Sequence, residues 1–422
     1  MPGRADWLFP RLRPPLESGP TGILEHTMTE TQFENHALLL REEDDVAVVK
    51  RPTPAGTRLL GAKVKVTTAS DIPPGHKMAL RAIAKGEPVR KFGQIIGFAR
   101  ENIAAGEHVH THNLAMRDFG RDYLFGTEAR PIRVVAPDQM RSFQGYLRPN
   151  GRVGTRNYVA VISTVNCSAS VAQYVRRAFE TPQFKCDFPH VDGVIAFTHK
   201  SGCCHPPGEP LDRLQRVIAG MARHPNIAGY VVVGLGCEGN QVVDLRSKYG
   251  LNVLQNNGAP PAFMVIQEMG GTRKTVDAAV AAVRKILPIA NQARRTPQPI
   301  SQLMLGLECG GSDGNSGITA NPALGVASDE LVRFGGTSVL AETPEIYGAE
   351  HLLTRRAISA QVGQKLVDLV RWWERHAEIN EATIDNNPSP GNKEGGLTTI
   401  YEKSLGAVAK GGLSPLVEVY QY

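Results

Sequence analysis

The pattern of apolar and polar positions changes character along the chain. Over 36–114, apolar residues come in short β-rich runs such as Val46-Ala-Val-Val49 and Val64-Lys-Val-Thr-Thr68, cut by Pro-Ala-Gly, Pro-Pro-Gly and Ala-Ala-Gly turns. Short strands at that spacing predict a small all-β module. Further on, apolar runs over 158–165, 194–197 and 230–235 alternate with helical periodicity. One helix carries Val171, Tyr174, Val175, Ala178 and Phe179 on a face, with Ser168 or Ser170 as its cap. A second carries Leu211, Leu214, Ile218 and Met221. A third, capped by Thr275, carries Val276, Val280, Val283 and Leu287 and is expected to stop at Pro288.

After that helix an apolar run from Leu303 stops at Glu308 and Cys309, and a glycine-rich polar loop follows to Gly317. Another apolar run, 338–341, leads into Glu342-Thr-Pro-Glu345. Strands alternating with helices predict an α/β class: a small N-terminal β module, then a doubly wound, mostly parallel region. In such sheets ligands collect beyond the carboxyl ends of the strands. The expected organisation is a tail over 1–34, with a start at Met1 or Met28, the β module over 35–115 and a linker over 116–144. Two α/β domains follow, over 145–300 and 301–422.

Composition narrows the function. The chain has 422 residues, and its 47 basic against 41 acidic side chains give +6. The basic residues are scattered and only 6% of positions are aromatic, so the stripe of cations and stacking rings that nucleic acid requires is missing. No apolar run has the length of a membrane span, and the start lacks a compact signal segment, so a cytoplasmic protein is expected. The six cysteines are spread without framework spacing, which predicts reduced thiols.

Candidate chemistry sits at strand ends. On a strand, His108, His110 and His112 would share one face, as a row of metal-ligating imidazoles. The phrases 71–77 and 102–110 are alike, each with an isoleucine three residues before a glycine, and predict two related turns side by side. Cys167, Cys237 and Cys309 each follow a predicted strand, as cluster ligands or as small core thiols. His199, Lys200 and His205 lie on one loop, where an imidazole or amine can move a proton next to a carboxylate. The loop 310–317 has neither a P-loop nor a dinucleotide fingerprint, and its backbone N–H groups suit a carboxylate better than a nucleotide.

Taken together, these phrases resemble the altronate and galactarate dehydratase family. The matching stretches are Gly106-Glu-His-Val-His-Thr-His-Asn-Leu114, Gly145-Tyr-Leu-Arg-Pro-Asn-Gly-Arg-Val-Gly-Thr-Arg-Asn157 and Gly234-Leu-Gly-Cys-Glu238. Leu307-Glu-Cys-Gly-Gly-Ser-Asp313, Pro390-Gly-Asn-Lys-Glu-Gly-Gly396 and Glu402-Lys-Ser-Leu-Gly406 continue the series in order. The resemblance implies that the β module is a SAF, or β-clip, domain. It also implies dehydration of a sugar acid with a divalent metal, Fe²⁺ first and Mn²⁺ second, and a further segment beyond Tyr422. A sulfolactate sulfo-lyase activity and a catalytically inactive sugar-acid-binding protein are the alternatives.

Placement then suggests roles. His110 and His112 are expected to bind the metal, with Glu308, Cys309, Glu342 or Glu345 completing the set. His199 or Lys200 is the expected base, with His205 a further catalytic candidate. Arg148, Arg152, Arg156 and Lys393, with Ser312, Asp313 and Asn315, are expected to hold the substrate. The expected partner is a small sugar acid, with a homodimer as the assembly and neither nucleic acid nor membrane involved.

Overall fold

The computed structural model describes residues 30–251 and 260–420, so the tail expected over 1–34 lies outside it up to residue 29. The chain divides into two compact units. One comprises the residues to Gln94 with Phe98–Leu114, and the other comprises Ile95–Gly97 with Ala115 onward.

The first unit is all-β apart from one helical turn. Strands β1 (Ala37–Leu38), β2 (Val46–Val49), β3 (Lys77–Ala79) and β4 (His108–Val109) pair antiparallel in that order. Every residue of β2 is buried, and Ala47, Val49, Leu59, Val66, Ile72 and Met78 form the core. One turn is used four times: Gly56, Gly75, Gly86 and Gly106 all have positive φ, each three residues after Thr53, Ile72, Ile83 or Ile103. Thr53 bridges to Ile72 and Ile83 to Ile103. The two turns singled out in the sequence are thus each bridged to a third or fourth copy, and they meet through β3 and β4.

In the second unit, strands β5 (Tyr158–Ser163), β6 (Gly193–Phe197), β7 (Ile227–Gly234) and β8 (Ala262–Val265) form a parallel sheet in the order β6-β5-β7-β8. Both faces are covered, which is why the strands read as unbroken apolar runs. Val159, Val161, Val231 and Val233 pack on helices α1 (Asn166–Arg177) and, later in the chain, Thr272–Ala290. Their neighbours Ala160, Ile162, Tyr230 and Val232 face the other way, onto α2 (Glu209–Ala222) and α3 (Val242–Tyr249).

Two helix ends differ from expectation. Neither serine caps α1: Val165 holds the cap position without a side-chain bond, and Ser168 Oγ turns back to donate to the Val165 carbonyl. Helix α4 (Thr272–Ala290) starts three residues before Thr275, whose hydroxyl donates to the Gly271 carbonyl, and it continues past Pro288. A proline so near the end forfeits one backbone bond in a turn about to stop, too little to break the helix earlier.

The C-terminal part holds a parallel pair, β9 (Met304–Leu307) and β10 (Thr337–Leu340), connected through α5 (Ala320–Arg333). Helices α6 (Ala360–Ile379) and α7 (Ile400–Ala409) follow, and α7 is buried from Ile400 to Val408. The stretch expected as a linker is pinned within this unit by Arg121, whose guanidinium meets Glu350 at 2.8 Å.

Candidate functional site

Three groups of chemistry-bearing side chains follow from this fold. The first is in the β unit. Antiparallel pairing sets Lys77 opposite Val109 and Met78 opposite His108, so one step outward His76 faces His110. His76 Nδ1 and His108 Nε2 are 2.9 Å apart. One nitrogen each from His76, His108 and His110 lies within 4.8 Å of the others. Two nitrogens bound at right angles to a cation at about 2.1 Å would stand about 3.0 Å apart, so this spacing fits a shared ion.

The electrostatics agree with that fit. Burial first, then the neighbouring His76, His110 and His112, push His108 down to about 3, so it stays neutral, the form in which an imidazole can bind a metal. Buried Asn113 fixes the backbone beneath: its Oδ1 accepts the His110 N–H at 2.9 Å and its Nδ2 donates to the His108 carbonyl at 2.9 Å. Gly106 sets the approach. Its φ is +82°, and a Cβ there would stand 1.8 Å from the Thr67 carbonyl oxygen.

His112 is placed differently from the sequence expectation. The strand ends at Val109 and a turn follows, so period-two alternation does not reach residue 112. Its ring lies 5.5 Å from that of His108 but is exposed and outside the triad.

The second group lies at the carboxyl edge of the parallel sheet, where strand order reverses between β5 and β7. Three loops are tied there: Asn166 N–H donates to the Ser201 carbonyl, Gly239 N–H to Cys203, and Asn240 Nδ2 to Thr164. Glu238 is spent on this knot, accepting from the Thr164 hydroxyl and from the Leu235 and Gly236 N–H groups. His199 Nδ1 accepts the Ser201 N–H at 3.2 Å, which leaves the proton of the neutral ring on Nε2, a buried atom without a partner. Burial also lowers the pKa of His199 below the usual 6.5. His205 is oriented differently: its Nδ1 lies 3.4 Å from the Pro206 carbonyl, which can only accept.

Lys200 is exposed on the same loop. Cys167 and Cys237 are exposed at the ends of β5 and β7, and among the described residues neither they nor Cys309 belong to a trio of ligand side chains.

The arginines are divided. Arg148 is 2% exposed, and its guanidinium donates to the Pro225 carbonyl at 2.6 Å, Asn157 Oδ1 at 3.0 Å and the Arg156 carbonyl at 3.1 Å. It clamps the loop instead of facing a ligand. Arg152 and Arg156 are exposed.

The third group gathers where β9 and β10 end. Cys309 N–H donates to Glu342 Oε2 at 2.7 Å, and Cys309 Sγ lies 2.7 Å from Ser312 Oγ. Glu342 has φ 60° and ψ 60°, a left-handed conformation that costs a side-chain-bearing residue about 1–3 kcal/mol. One turn on, buried Glu345 meets Lys403 of α7 at 3.0 Å and Lys410, just past that helix, at 3.4 Å. Burial opposes its ionised form, but Lys403, Cys309 and Lys410 outweigh burial and hold Glu345 below the usual carboxylate range.

Around it, Asp313 is consumed by its own loop, accepting from Asn315 N–H, Ser316 N–H and the Ser316 hydroxyl. The Ser312 carbonyl accepts from Asn392. Lys393 is half-buried on a short helical turn, while Asn315 and Glu308 are exposed.

Comparison with known proteins bears on what these groups serve. Residues 35–117 match the altronate/galactarate dehydratase SAF domain, 145–291 the D-galactarate dehydratase/altronate hydrolase second domain, and 300–422 the D-galactarate/altronate dehydratase C-terminal domain. Altronate dehydratase of Bacillus subtilis (strain 168) is 35% identical over 385 residues, covering 91% of this chain and 75% of the relative. This chain belongs to the altronate/galactarate dehydratase family. Altronate dehydratase of Escherichia coli (strain K12) is 38% identical over 380 residues, or 90% of this chain and 74% of the relative. Galactarate dehydratase (L-threo-forming) of the same organism is 33% identical over 390 residues, or 90% and 73%. With them, the chain is a carbon–oxygen lyase of the hydro-lyase type.

Within this dehydratase, sequence reasoning missed His76, Lys403 and Lys410. His76 had a signal: it follows the glycine of a turn resembling the one before His108, and strands leaving like turns tend to pair. Lys403 lay within the matching stretch Glu402-Lys-Ser-Leu-Gly406, but nothing in the sequence marks which polar side chain on or just past a buried helix reaches Glu345, some sixty residues earlier.

Proposed function

We propose that this hydro-lyase dehydrates an aldonate or aldarate of the altronate or galactarate type to a 2-keto-3-deoxy acid. The C2–H bond breaks with its proton passing to a base, the C3–O bond breaks with the hydroxyl leaving as water, and the resulting enol becomes the ketone. The relatives' names support the substrate class. The observation that carries the reading is the trio of imidazoles, His76, His108 and His110, close enough to hold one divalent cation. Iron(II) comes first and manganese(II) second. His76, His108 and His110 would hold such a cation, which when bound would supply Lewis-acid chemistry.

Within the second unit, the loop after β6 carries groups suited to moving a proton. His205 is the proton acceptor, with Nδ1 turned to the Pro206 carbonyl and Nε2 as the basic nitrogen. His199 is a neutral donor, its Nε2–H stabilising negative charge as it develops. Lys200 is exposed on that loop, where its charge draws in an anion.

The test is anaerobic incubation with Fe²⁺ or Mn²⁺ against a panel of aldonates and aldarates, with a chelator control and an assay for 2-keto-3-deoxy products. Metal-dependent product from one stereoisomer is expected. Sugar-acid binding without turnover under every condition would leave a binding protein and overturn the proposal.

A further inference from the structure

The cluster at the ends of β9 and β10 contains more positive charge than its carboxylate neutralises. Lys403 and Lys410 are 8% and 5% exposed at their side chains, and both pair with Glu345, itself 7% exposed. Two buried ammonium groups therefore share one buried carboxylate. A buried charge without a counter-charge is costly, and an anionic ligand relieves that cost. Two of the three donors of Lys403 are taken, by Glu345 at 3.0 Å and Asn387 Oδ1 at 2.6 Å, and the third is open among the described residues.

The neighbouring carboxylates are engaged elsewhere. Glu342 accepts the Cys309 N–H, and Glu402 accepts from the Thr398 N–H and hydroxyl. Asn387 on Lys403, Cys309 on Glu345, and Ser312 beside Cys309 are all half-buried, so the cluster is bordered by side chains that reach solvent. The left-handed Glu342 holds that border in place through Cys309. Such strain is typical of sites where a loop must be held in one arrangement.

We propose that Lys403 and Lys410 form a carboxylate-binding site, with Glu345 as the resident carboxylate against which an incoming one competes. This rests on the sugar-acid reading above and names where that substrate's carboxylate is held. Removing the C2 proton spreads further negative charge onto that carboxylate, so a fixed excess of positive charge there also favours the reaction.

The experiment is calorimetric titration of the chelator-treated full chain, which cannot turn over, with malonate and with D-galactarate, using galactitol as the uncharged control. Wild type is expected to bind both anions and to ignore galactitol. Lys403→Met should weaken both by about tenfold or more. Glu345→Gln should tighten both, because it keeps the shape and removes the competing negative charge. That opposite sign separates a binding site from a structural ion pair, whose disruption from either side would weaken binding alike.

Thermal unfolding of each variant establishes that it is folded. If Lys403→Met does not fold, Glu345→Gln decides by its sign. The proposal is overturned if wild type binds neither anion, if folded Lys403→Met binds as wild type does, or if Glu345→Gln weakens binding. Malonate binding with the expected response to both variants, but no sugar acid bound or dehydrated, would support the anion site and refute the substrate class.

Discussion

Replacing His76 with alanine separates the metal site read from geometry from the one read from sequence spacing. His76 is 6% exposed and 2.9 Å from His108, and with His110 it completes a set of nitrogens within 4.8 Å. Losing one of three ligands leaves two imidazoles, and affinity for Mn²⁺ or Fe²⁺ should fall at least a hundredfold, about 2.7 kcal/mol. His112→Ala should change affinity less than about threefold, because that ring is exposed and outside the trio. The assay is anaerobic competition against a chelator of known affinity, on apo-protein whose thermal unfolding confirms that each variant is folded. Equal losses in the two variants, or unchanged affinity in His76→Ala, would refute the trio.

Arg148→Ala should cost about 3 kcal/mol in denaturant unfolding, because it strands the Pro225, Arg156 and Asn157 acceptors; normal stability with weakened substrate binding would return this arginine to the substrate. Gly106→Ala should destabilise the chain by roughly 2 kcal/mol or more and weaken metal binding with it, since the added Cβ meets the Thr67 carbonyl oxygen; a melting temperature equal to wild type would contradict this. His351 is buried with its pKa pushed below 6.5, chiefly by burial, so the folded state takes up its proton less readily than the unfolded one. Its share of the stability is complete above pH 6.5 and declines as pH falls below it; denaturation midpoints should drop less steeply over that range in His351→Gln, and parallel slopes would count against the assignment. His199→Phe should lower kcat about a hundredfold while leaving the acid limb of the pH–rate profile in place, whereas loss of that limb would make His199 the base.

The parallel sheet was legible because strands buried on both faces are written as runs such as Tyr158-Val-Ala-Val-Ile, which leave little else for the chain to be. The β module was legible through its turns, whose glycines recur at a fixed distance from an apolar residue. Helix ends were less so. Thr275 and Ser168 have the right hydroxyls for caps, yet each bonds backward within its helix, a local choice that sequence leaves open. At the candidate sites, residue type was readable and orientation was not. Arg148 suits a substrate carboxylate in every respect except its burial. His199 and His205 differ in which backbone group meets Nδ1, an N–H in one and a carbonyl in the other.

The histidine trio is divided between two copies of one turn: His76 leaves the first, His108 and His110 leave the other, and the copies meet along β3 and β4. Neither copy alone supplies all three nitrogens. A cation bound there is therefore a clasp across the sheet, and its binding energy is added to the folding energy of the first unit. At a free concentration a hundred times its dissociation constant, that addition is about 2.7 kcal/mol. For a metal bound as proposed, its supply would set how firmly this unit stays folded, apart from any part the metal plays in turnover.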